Sequence, residues 1–471
     1  MNRRQFLGTM GKAALAGAAA TAVHSSRQAR AAPGPSRRPN IIYIMADDLG
    51  QYDLGCCGGK HIQTPHIDRI AAEGVRFTQV YAGSTVCAPS RSVLMTGRHT
   101  GHTTVRGNSA AAGAPAPQGR IPLNADDVTV AEVLQAAGYA TGIVGKWGLG
   151  EPQTPGIPNK QGFDFWFGYL NQRHAHNYWT EYLWRNTEKV EFPGNSPEAR
   201  KVYSHDLMTK EALDFVRRAA EGSKPFFLYA AYTIPHGTLH PPDDKPYTDK
   251  PWSQAEKNYA AMVTRLDRDV GHLLALLKEL AIDENTIVFF CSDNGWTPAY
   301  CGANSILKSG GPLRGNKGNL YEGGIRVPML VRWPGRIQPG TVSDQVWAFW
   351  DVLPTAAEIA GADPPPGIDG ISMLPAILGK EQKAQHEFLY WEFRTGGFQQ
   401  AVRWGDWKGI RHGTEQPLEL YRLKDDLSEK NDVAKDHPEV VKRIETFMAG
   451  ARTPSKHWPA LPGRAKKKAT K

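Results

Sequence analysis

The stretch Ile41-Ile42-Tyr43-Ile44-Met45-Ala46-Asp47-Asp48 decides the fold class of this chain. It is a continuous apolar run without polar alternation, and it ends directly in two carboxylates. Strands that are buried on both faces of a parallel sheet have this composition, because neither face meets water. We therefore predict a buried strand over 41–45 with Asp47 and Asp48 beyond its carboxyl end.

Three more runs of this kind follow, each succeeded by polar residues: 141–144 before Lys146, 226–229 before His236, and 286–290 before Asp293 and Asn294. Helical patterns lie between the runs, most clearly at 259–280 and also at 128–137. Strands that alternate with helices predict an α/β fold, with a large, mostly parallel sheet covered by helices on both faces. Ligands bind beyond the carboxyl ends of such strands, where these polar residues fall.

The texture of the sequence changes after about Gly379. Short aromatic-rich runs at 387–393, 401–409 and 418–423 are separated by turn-like residues, and a helical pattern follows at 438–451. They predict a small C-terminal antiparallel sheet plus a helix. We expect a catalytic domain over 32–379, a small α+β subdomain over 380–460 and a basic disordered tail over 461–471.

Residues 1–31 have the features of a twin-arginine export signal. They contain Arg3-Arg4, a short run rich in alanine and glycine, and Ala29-Arg30-Ala31 before the expected cleavage. The apolar run is too short to span a bilayer core. The sequence therefore predicts a periplasmic or secreted protein that is exported by the twin-arginine machinery, without stable membrane insertion.

The formal net charge of +9 is concentrated at the two ends of the chain. Without the five basic residues of the signal and the five of the tail, the chain has 46 basic and 47 acidic residues and is almost neutral. A nucleic-acid partner is therefore not expected.

Five cysteines, with Cys56 and Cys57 adjacent, do not form a disulfide framework of the usual kind. Stability must come from a large core.

The segment Cys87-Ala88-Pro89-Ser90-Arg91, continuing to Thr96-Gly97-Arg98, predicts an anion site. Pro89 is favoured at the first position of a helix, and a helix N-terminus offers unpaired N–H groups to a negative ligand. Arg91 adds a rigid, permanently charged fork that fits a tetrahedral oxyanion. The pairs Asp47-Asp48 and Asp293-Asn294 supply the hard oxygen ligands that Ca²⁺ and Mg²⁺ prefer.

This combination resembles the formylglycine-dependent sulfatases, which are arylsulfatase-like members of the alkaline-phosphatase-like superfamily. The resemblance covers nearly all of the chain after the signal, because further motifs of the family follow in order. These motifs are Gly145-Lys146-Trp147, His236 after Pro235, Ser292-Asp293-Asn294-Gly295, Gly315-Asn316-Lys317-Gly318, Tyr321-Glu322-Gly323-Gly324 and Arg326-Val327-Pro328.

The resemblance implies a role for each matching residue. Asp47, Asp48, Asp293, Asn294 and the modified Cys87 would bind one divalent cation, usually Ca²⁺, with Mg²⁺ as the alternative. Arg91, Lys146 and Lys317 would surround the sulfate, and His236 would protonate the leaving-group oxygen as a general acid.

The same resemblance implies that a formylglycine-generating enzyme oxidises Cys87 to formylglycine (3-oxoalanine). The hydrated aldehyde has two hydroxyls on one carbon. One hydroxyl attacks sulfur, and deprotonation of the other then expels sulfate. Serine or an unmodified cysteine has no second hydroxyl.

One position departs from the family pattern. Many members read Gly-Lys-Trp-His-Leu-Gly, whereas this chain has Gly148 in place of the histidine that assists the formylglycine hydroxyls. His174 and His176 follow downstream and are candidates to reach the site. The alternative, that both histidines only pack in the protein or lie on its surface, carries equal weight.

We expect a sulfated carbohydrate or an aryl sulfate as substrate, with galactose or N-acetylgalactosamine sulfate as the first choice. The glycine variant followed by Gln-Arg-x-Ala-His-Asn-Tyr looks like bacterial sulfatases that act on glycans. The expected substrate-binding residues are His174, His176, Trp391, Glu392 and Arg403. The alternatives are a phosphate or phosphonate monoester hydrolase on the same fold, and a catalytically inactive glycan-binding pseudoenzyme.

Overall fold

Alternate side chains of the first strand are buried on opposite faces of one large sheet. In the computed structural model, Ile41, Tyr43 and Met45 belong to one hydrophobic core, whereas their neighbours in between belong to a second core. The structure describes residues 38–110, 114–394 and 397–463, so the predicted export signal and residues 464–471 of the tail lie outside the described residues.

The large sheet has eleven strands among the described residues. They are β1 (Asn40–Ala46), β2 (Val75–Tyr81), β3 (Ala140–Lys146), β4 (Phe165–Tyr169), β5 (Tyr182–Arg185), β6 (Glu188–Glu191), β7 (Phe226–Ala231), β8 (Thr286–Ser292), β9 (Arg326–Arg332), β10 (Thr341–Ser343) and β11 (Trp347–Ala348). The order is β10-β2-β9-β8-β1-β7-β3-β4-β5-β6, and β11 also pairs with β2. The five strands from β8 to β4 run parallel, while β9, β5 and β6 join antiparallel to their neighbours.

Helices cover both faces of this sheet, as the sequence predicted. The α-helices of the described residues are α1 (Pro65–Ala72), α2 (Cys87–Thr96), α3 (Val130–Ala136), α4 (Ser204–Glu221), α5 (Gln254–Glu279), α6 (Pro298–Cys301), α7 (Glu322–Ile325), α8 (Val352–Ala360), α9 (Leu374–Ile377) and α10 (Pro438–Gly450). Helices α2, α3 and α8 pack in the first core, and α1, α4 and α5 pack in the second. Of the described helices, none combines the length and the hydrophobicity needed to cross a membrane.

A second, antiparallel sheet with one helix follows, which confirms the predicted C-terminal architecture. Its strands are β12 (Leu389–Phe393), β13 (Gln399–Trp404), β14 (Trp407–Arg411) and β15 (Glu419–Arg422), and α10 packs on it. The predicted run 401–409 spans two of these strands. Its strand-forming residues continue on both sides of a turn at Gly405, whose φ is +57°. The domain boundaries at 31, 379 and 460 stay a prediction.

Candidate active site

The two acidic or amide pairs meet because their strands are neighbours. β1 and β8 are parallel, with Ala46 opposite Ser292, so both pairs follow at the same edge of the sheet. The Asp48 N–H donates to Asp293 Oδ1 at 3.2 Å, and Asn294 Nδ2 donates to Asp48 Oδ1 at 2.7 Å. Asp48 holds a φ of +65°, a conformation that is uncommon outside glycine and concentrates at functional sites.

Cys87 begins helix α2 beside this edge. Its side chain is 2% exposed, and its Sγ lies 3.3 Å from Asp47 Oδ1. The helix begins two residues earlier than Pro89, where the sequence placed its first turn, because Val86 is the last extended residue. Burial and the nearby carboxylates of Asp293 and Asp47 raise the pKa of the Cys87 thiol. The unmodified side chain is therefore a neutral thiol rather than a reactive thiolate.

Three cations balance the three carboxylates. Lys146 Nζ lies 2.6 Å from Asp47 Oδ2, and Lys317 Nζ lies 2.6 Å from Asp48 Oδ2. The Arg91 guanidinium donates to Asp293 Oδ2 from two nitrogens, at 2.9 and 3.2 Å, and to the Lys146 carbonyl oxygen at 2.6 Å. Lys317 Nζ also lies 3.7 Å from Cys87 Sγ, which places a positive charge next to the thiol.

The cations keep two of the three buried acids charged, whereas burial raises the pKa of the third, Asp293, to about 6. Burial alone would raise the pKa of Asp47, but Lys146, His236 and Arg91 together hold it well below its usual range. The pKa of Asp48 is also lowered, since Lys317 and His236 outweigh the effect of burial. Both groups are carboxylates at neutral pH and are available as oxygen ligands.

His236 lies at the edge of the charged cluster. Its Nδ1 faces the Gly237 carbonyl oxygen at 2.5 Å and donates to it, so Nε2 faces Lys317 Nζ at 3.2 Å. The ring of His176 stacks on that of His236 with centroids 4.1 Å apart. Burial and the neighbouring His236 lower the pKa of His176 to about 3, which keeps this ring neutral.

The residues at this edge fit a hard divalent cation. Asp47, Asp48, Cys87 and His236 each bring a ligand atom within 4.8 Å of the others. Asn294 Oδ1 is buried and has no hydrogen-bond partner among the described residues, although its Nδ2 is bonded twice. An orphaned amide oxygen beside carboxylates is the donor set that Ca²⁺ and Mg²⁺ prefer.

The structure brings together all of the predicted metal and catalytic residues, together with His176, but not the rest of the expected substrate-binding set. His174 Nε2 instead pairs with Thr180 Oγ1 at 2.6 Å. Trp391 is fully buried and donates to the Ala82 carbonyl oxygen, Glu392 is held by Arg106 and Arg452, and Arg403 bonds Tyr81, Gln79 and Gly405. The polar atoms of Trp391, Glu392 and Arg403 are thus paired within the protein, and a role for these residues in substrate binding stays a prediction.

Sequence reasoning missed Tyr300 and Gln172. The Tyr300 hydroxyl donates to Asp48 Oδ2, and Tyr300 also lines an open cleft. Tyr259, Trp296 and Lys308 line the same cleft. Gln172 packs against Gly148, and it lies in the Gln-Arg-x-Ala-His-Asn-Tyr stretch, of which only the two histidines were predicted to reach the site.

Comparisons with known proteins agree with this geometry. The family model described as Sulfatase matches residues 39–362, and that described as N-sulphoglucosamine sulphohydrolase, C-terminal, matches residues 316–453. The chain is 37% identical over 398 residues to the N-acetylgalactosamine-6-sulfatase of Canis lupus familiaris, covering 80% of this chain and 72% of that protein.

Two solved structures superpose on this chain over most of its length. The crystal structure of Ps i-CgsB in complex with k-i-k-neocarrahexaose superposes with a TM-score of 0.77 and 31% identity, covering 89% of this chain and 94% of that one. The phosphonate monoester hydrolase of Agrobacterium radiobacter shares the fold, with a TM-score of 0.66 and 19% identity over 88% of this chain and 95% of that one.

Proposed function

The chain belongs to the sulfatase family, and from this premise we propose that it hydrolyses sulfate monoesters of carbohydrates with a nucleophile formed from Cys87. The observation that carries the proposal is the position of Cys87, at a helix N-terminus between Asp47 and Lys317. An oxygen nucleophile on this carbon would lie next to cations that offset the charge of a sulfate ester.

We propose that Asp47, Asp48, Asp293, Asn294 and the modified side chain at 87 hold one Ca²⁺, with Mg²⁺ as the alternative. The support is the approach of the Asp47 and Asp48 carboxylates to position 87 and the orphaned Asn294 oxygen. A bound cation would supply positive charge to the sulfate oxygens, and a hydrated formylglycine would supply two hydroxyls on one carbon.

The remaining residues stabilise the negative charge of the sulfate ester and transfer a proton. Arg91, Lys146 and Lys317 offer fixed positive charges around the position of Cys87, where negative charge grows as the ester is attacked. Lys317 Nζ donates toward His236 Nε2, so these two groups hold a proton next to the site. We propose that His236 passes this proton to the leaving alcohol, because an unprotonated alkoxide is a poor leaving group.

The cleft beside Tyr300 is our proposal for the leaving-group sugar. It joins the site through the Tyr300 side chain, and the half-buried Trp296 gives it an aromatic surface of the kind against which sugars pack. One relative is named N-acetylgalactosamine-6-sulfatase, and the other is solved in complex with k-i-k-neocarrahexaose. We therefore propose galactose or N-acetylgalactosamine sulfate as the substrate class.

The test is replacement of Cys87 together with peptide mass spectrometry of the native chain. Cys87→Ala should abolish turnover of a sulfated galactoside or of an aryl sulfate while the protein stays folded, because a small side chain is lost. Cys87→Ser should also fail to turn over repeatedly, because a sulfated serine cannot expel sulfate. Cys291→Ala is the matched control, since this buried thiol pairs with Tyr43 and not with the site.

Two results would contradict the proposal. Repeated turnover by Cys87→Ser would exclude the formylglycine mechanism, and an unmodified thiol in active protein would do the same. Faster hydrolysis of a phosphonate monoester than of every sulfate ester tested would favour the alternative hydrolase.

We further propose that the chain is exported by the twin-arginine route to the periplasm or beyond, after a formylglycine-generating enzyme has acted on it. The support is Arg3-Arg4 with the short apolar run and Ala29-Arg30-Ala31. Replacing both arginines by lysine should retain the protein in the cytoplasm, and unchanged export would contradict the route.

A further inference from the structure

The side chain of Gln172 fills the space that opens at Gly148, two residues after Lys146. β3 and β4 run parallel, and beyond their ends the Gly148 N–H donates to the Leu170 carbonyl oxygen at 3.1 Å. Gly148 has a φ of +78°, and a Cβ built on it would lie 2.4 Å from Gln172 Nε2 and 2.7 Å from Gln172 Cδ. The carboxamide of Gln172 therefore stands where a side chain at 148 would begin.

This carboxamide has no hydrogen-bond partner among the described residues. Gln172 is 5% exposed, and neither its Oε1 nor its Nε2 is bonded. Buried amides are nearly always paired, because an unpaired one loses its bonds to water without replacement. An amide held in this state, against the backbone two residues after Lys146, is available to a ligand.

The surroundings fix the backbone on both sides of this amide. Arg120 donates from Nη2 to the Gly148 carbonyl oxygen at 2.8 Å and pairs through Nε with Glu151, also at 2.8 Å. Asn171, next to Gln172, donates to the same Glu151 carboxylate at 2.9 Å. Burial lowers the pKa of Arg120, while Glu151 and Cys87 act to raise it, which places the guanidinium within electrostatic range of the nucleophile.

We propose that Gln172 is a sulfate-binding residue of this enzyme, whose Nε2 amide donates a hydrogen bond to a sulfuryl oxygen of the bound ester. The inference rests on the proposed function. Gln172 adds a donor on the side of the site where the chain lacks the family histidine, and it does so without adding charge. Since a carboxamide does not titrate, its contact is the same in acid and in neutral solution.

Gln172→Met tests the proposal, because methionine has a similar length and no N–H donor. Inorganic sulfate is the probe, titrated calorimetrically into the folded full chain. We expect sulfate to bind about tenfold more weakly and kcat/KM for a sulfate ester to fall roughly ten- to hundredfold. The melting temperature should stay equal to or rise above that of the wild type, since an unpaired buried amide is removed.

Gln161→Met is the matched control. Gln161 is also fully buried, but its Nε2 donates to the carbonyl oxygens of Asn124 and Pro155. This substitution should lower the melting temperature and leave sulfate affinity unchanged. The opposite effects at positions 161 and 172 would distinguish a structural glutamine from a ligand-binding one.

Unchanged sulfate affinity in Gln172→Met overturns the proposal, whatever happens to kcat/KM. If Gln172→Met fails to fold, Gln172→Glu is the second test of the proposal. Glutamate keeps the shape of the glutamine side chain but places a carboxylate against the bound sulfate. Sulfate should then bind at least tenfold more weakly, and wild-type affinity in Gln172→Glu overturns the proposal. A wild-type chain that neither binds sulfate nor hydrolyses any sulfate ester contradicts the proposed function itself.

Discussion

At the scale of single residues, Tyr300 links the proposed metal ligands to the proposed sugar cleft. Its hydroxyl donates to Asp48 Oδ2, the oxygen that also faces Lys317, and the residue lines the cleft. A side chain that orients a metal-binding carboxylate affects metal affinity without touching the ion. Tyr300 should therefore influence both the cation and the substrate.

We expect Tyr300→Phe to weaken cation binding about tenfold, because Asp48 loses a partner that fixes its orientation. Chelator-treated protein would be titrated with Ca²⁺ and with Mg²⁺, each of which should restore activity better than Zn²⁺ does. Tyr247→Phe is the control, since the Tyr247 hydroxyl pairs with Gln63 and Thr264. Equal Ca²⁺ affinity in the wild type and Tyr300→Phe would show that Lys317 and Asn294 orient Asp48 without Tyr300.

At the scale of secondary-structure elements, one helix caps another. Asp267, in α5, accepts hydrogen bonds through Oδ1 from the N–H groups of His66 and Ile67 in the first turn of α1, at 2.9 and 2.7 Å. These N–H groups have no partner inside their own helix. Burial nevertheless raises the pKa of Asp267 from its ordinary 3.8 to about 7.

This shift predicts a pH dependence of stability. The folded protein binds the Asp267 proton more tightly than the unfolded chain does, so the contribution of Asp267 to the free energy of unfolding falls as the pH rises from about 4 to about 7. Asp267→Asn keeps the Oδ1 acceptor and removes the titration. At pH 8 it should stabilise the protein by on the order of 1 kcal/mol.

Urea unfolding at pH 5 and pH 8 would measure the effect. The exposed Asp249→Asn is the control and should leave the pH profile unchanged. A wild-type chain whose stability rises from pH 5 to pH 8, with no difference in Asp267→Asn, would show that the capped carboxylate stays ionised in the folded state.

The strand ends of the site could be predicted from the sequence, whereas the loops around it could not. Asp47 follows its apolar run at once and Asp293 follows within three residues, so local sequence alone gives their position on the sheet. Tyr300 reaches Asp48 across 252 residues, and Gln172 meets Gly148 only because β3 pairs with β4. Trp391 is of a residue type that often stacks on sugars, but the packing of the C-terminal sheet buries it. Contacts of this kind depend on tertiary structure, which local patterns do not encode.

At the scale of the whole molecule, a buried ion cluster joins the two sheets. Lys408 of β14 is fully buried, with its Nζ 2.8 Å from Glu322 Oε1 and 2.9 Å from Glu429 Oε1. Glu322 begins α7, just before β9 of the large sheet, and it also accepts from Tyr81 and Arg326. Removing the central cation would leave two carboxylates buried together.

Lys408→Met should therefore lower the free energy of unfolding by about 3–5 kcal/mol, the cost of breaking a buried ion pair on one side. Urea unfolding would measure the loss, and exposed Lys430→Met should change stability by less than about 0.5 kcal/mol. The double variant Lys408→Met with Glu322→Gln should recover part of the loss. A loss below about 1 kcal/mol in Lys408→Met would show that water enters the interface freely.

The burial of Cys87 determines whether its modification or the folding of the chain must come first. At 2% exposure, beneath Lys317 and against Asp47, the thiol is out of reach of any other protein once the sheet has closed around it. An enzyme that modifies it must work on the nascent or unfolded segment, in competition with the speed of folding. Faster folding would then yield more inactive enzyme, so conditions that slow folding should raise the active fraction. By the same reasoning, protein that has already folded without the modification cannot become active later.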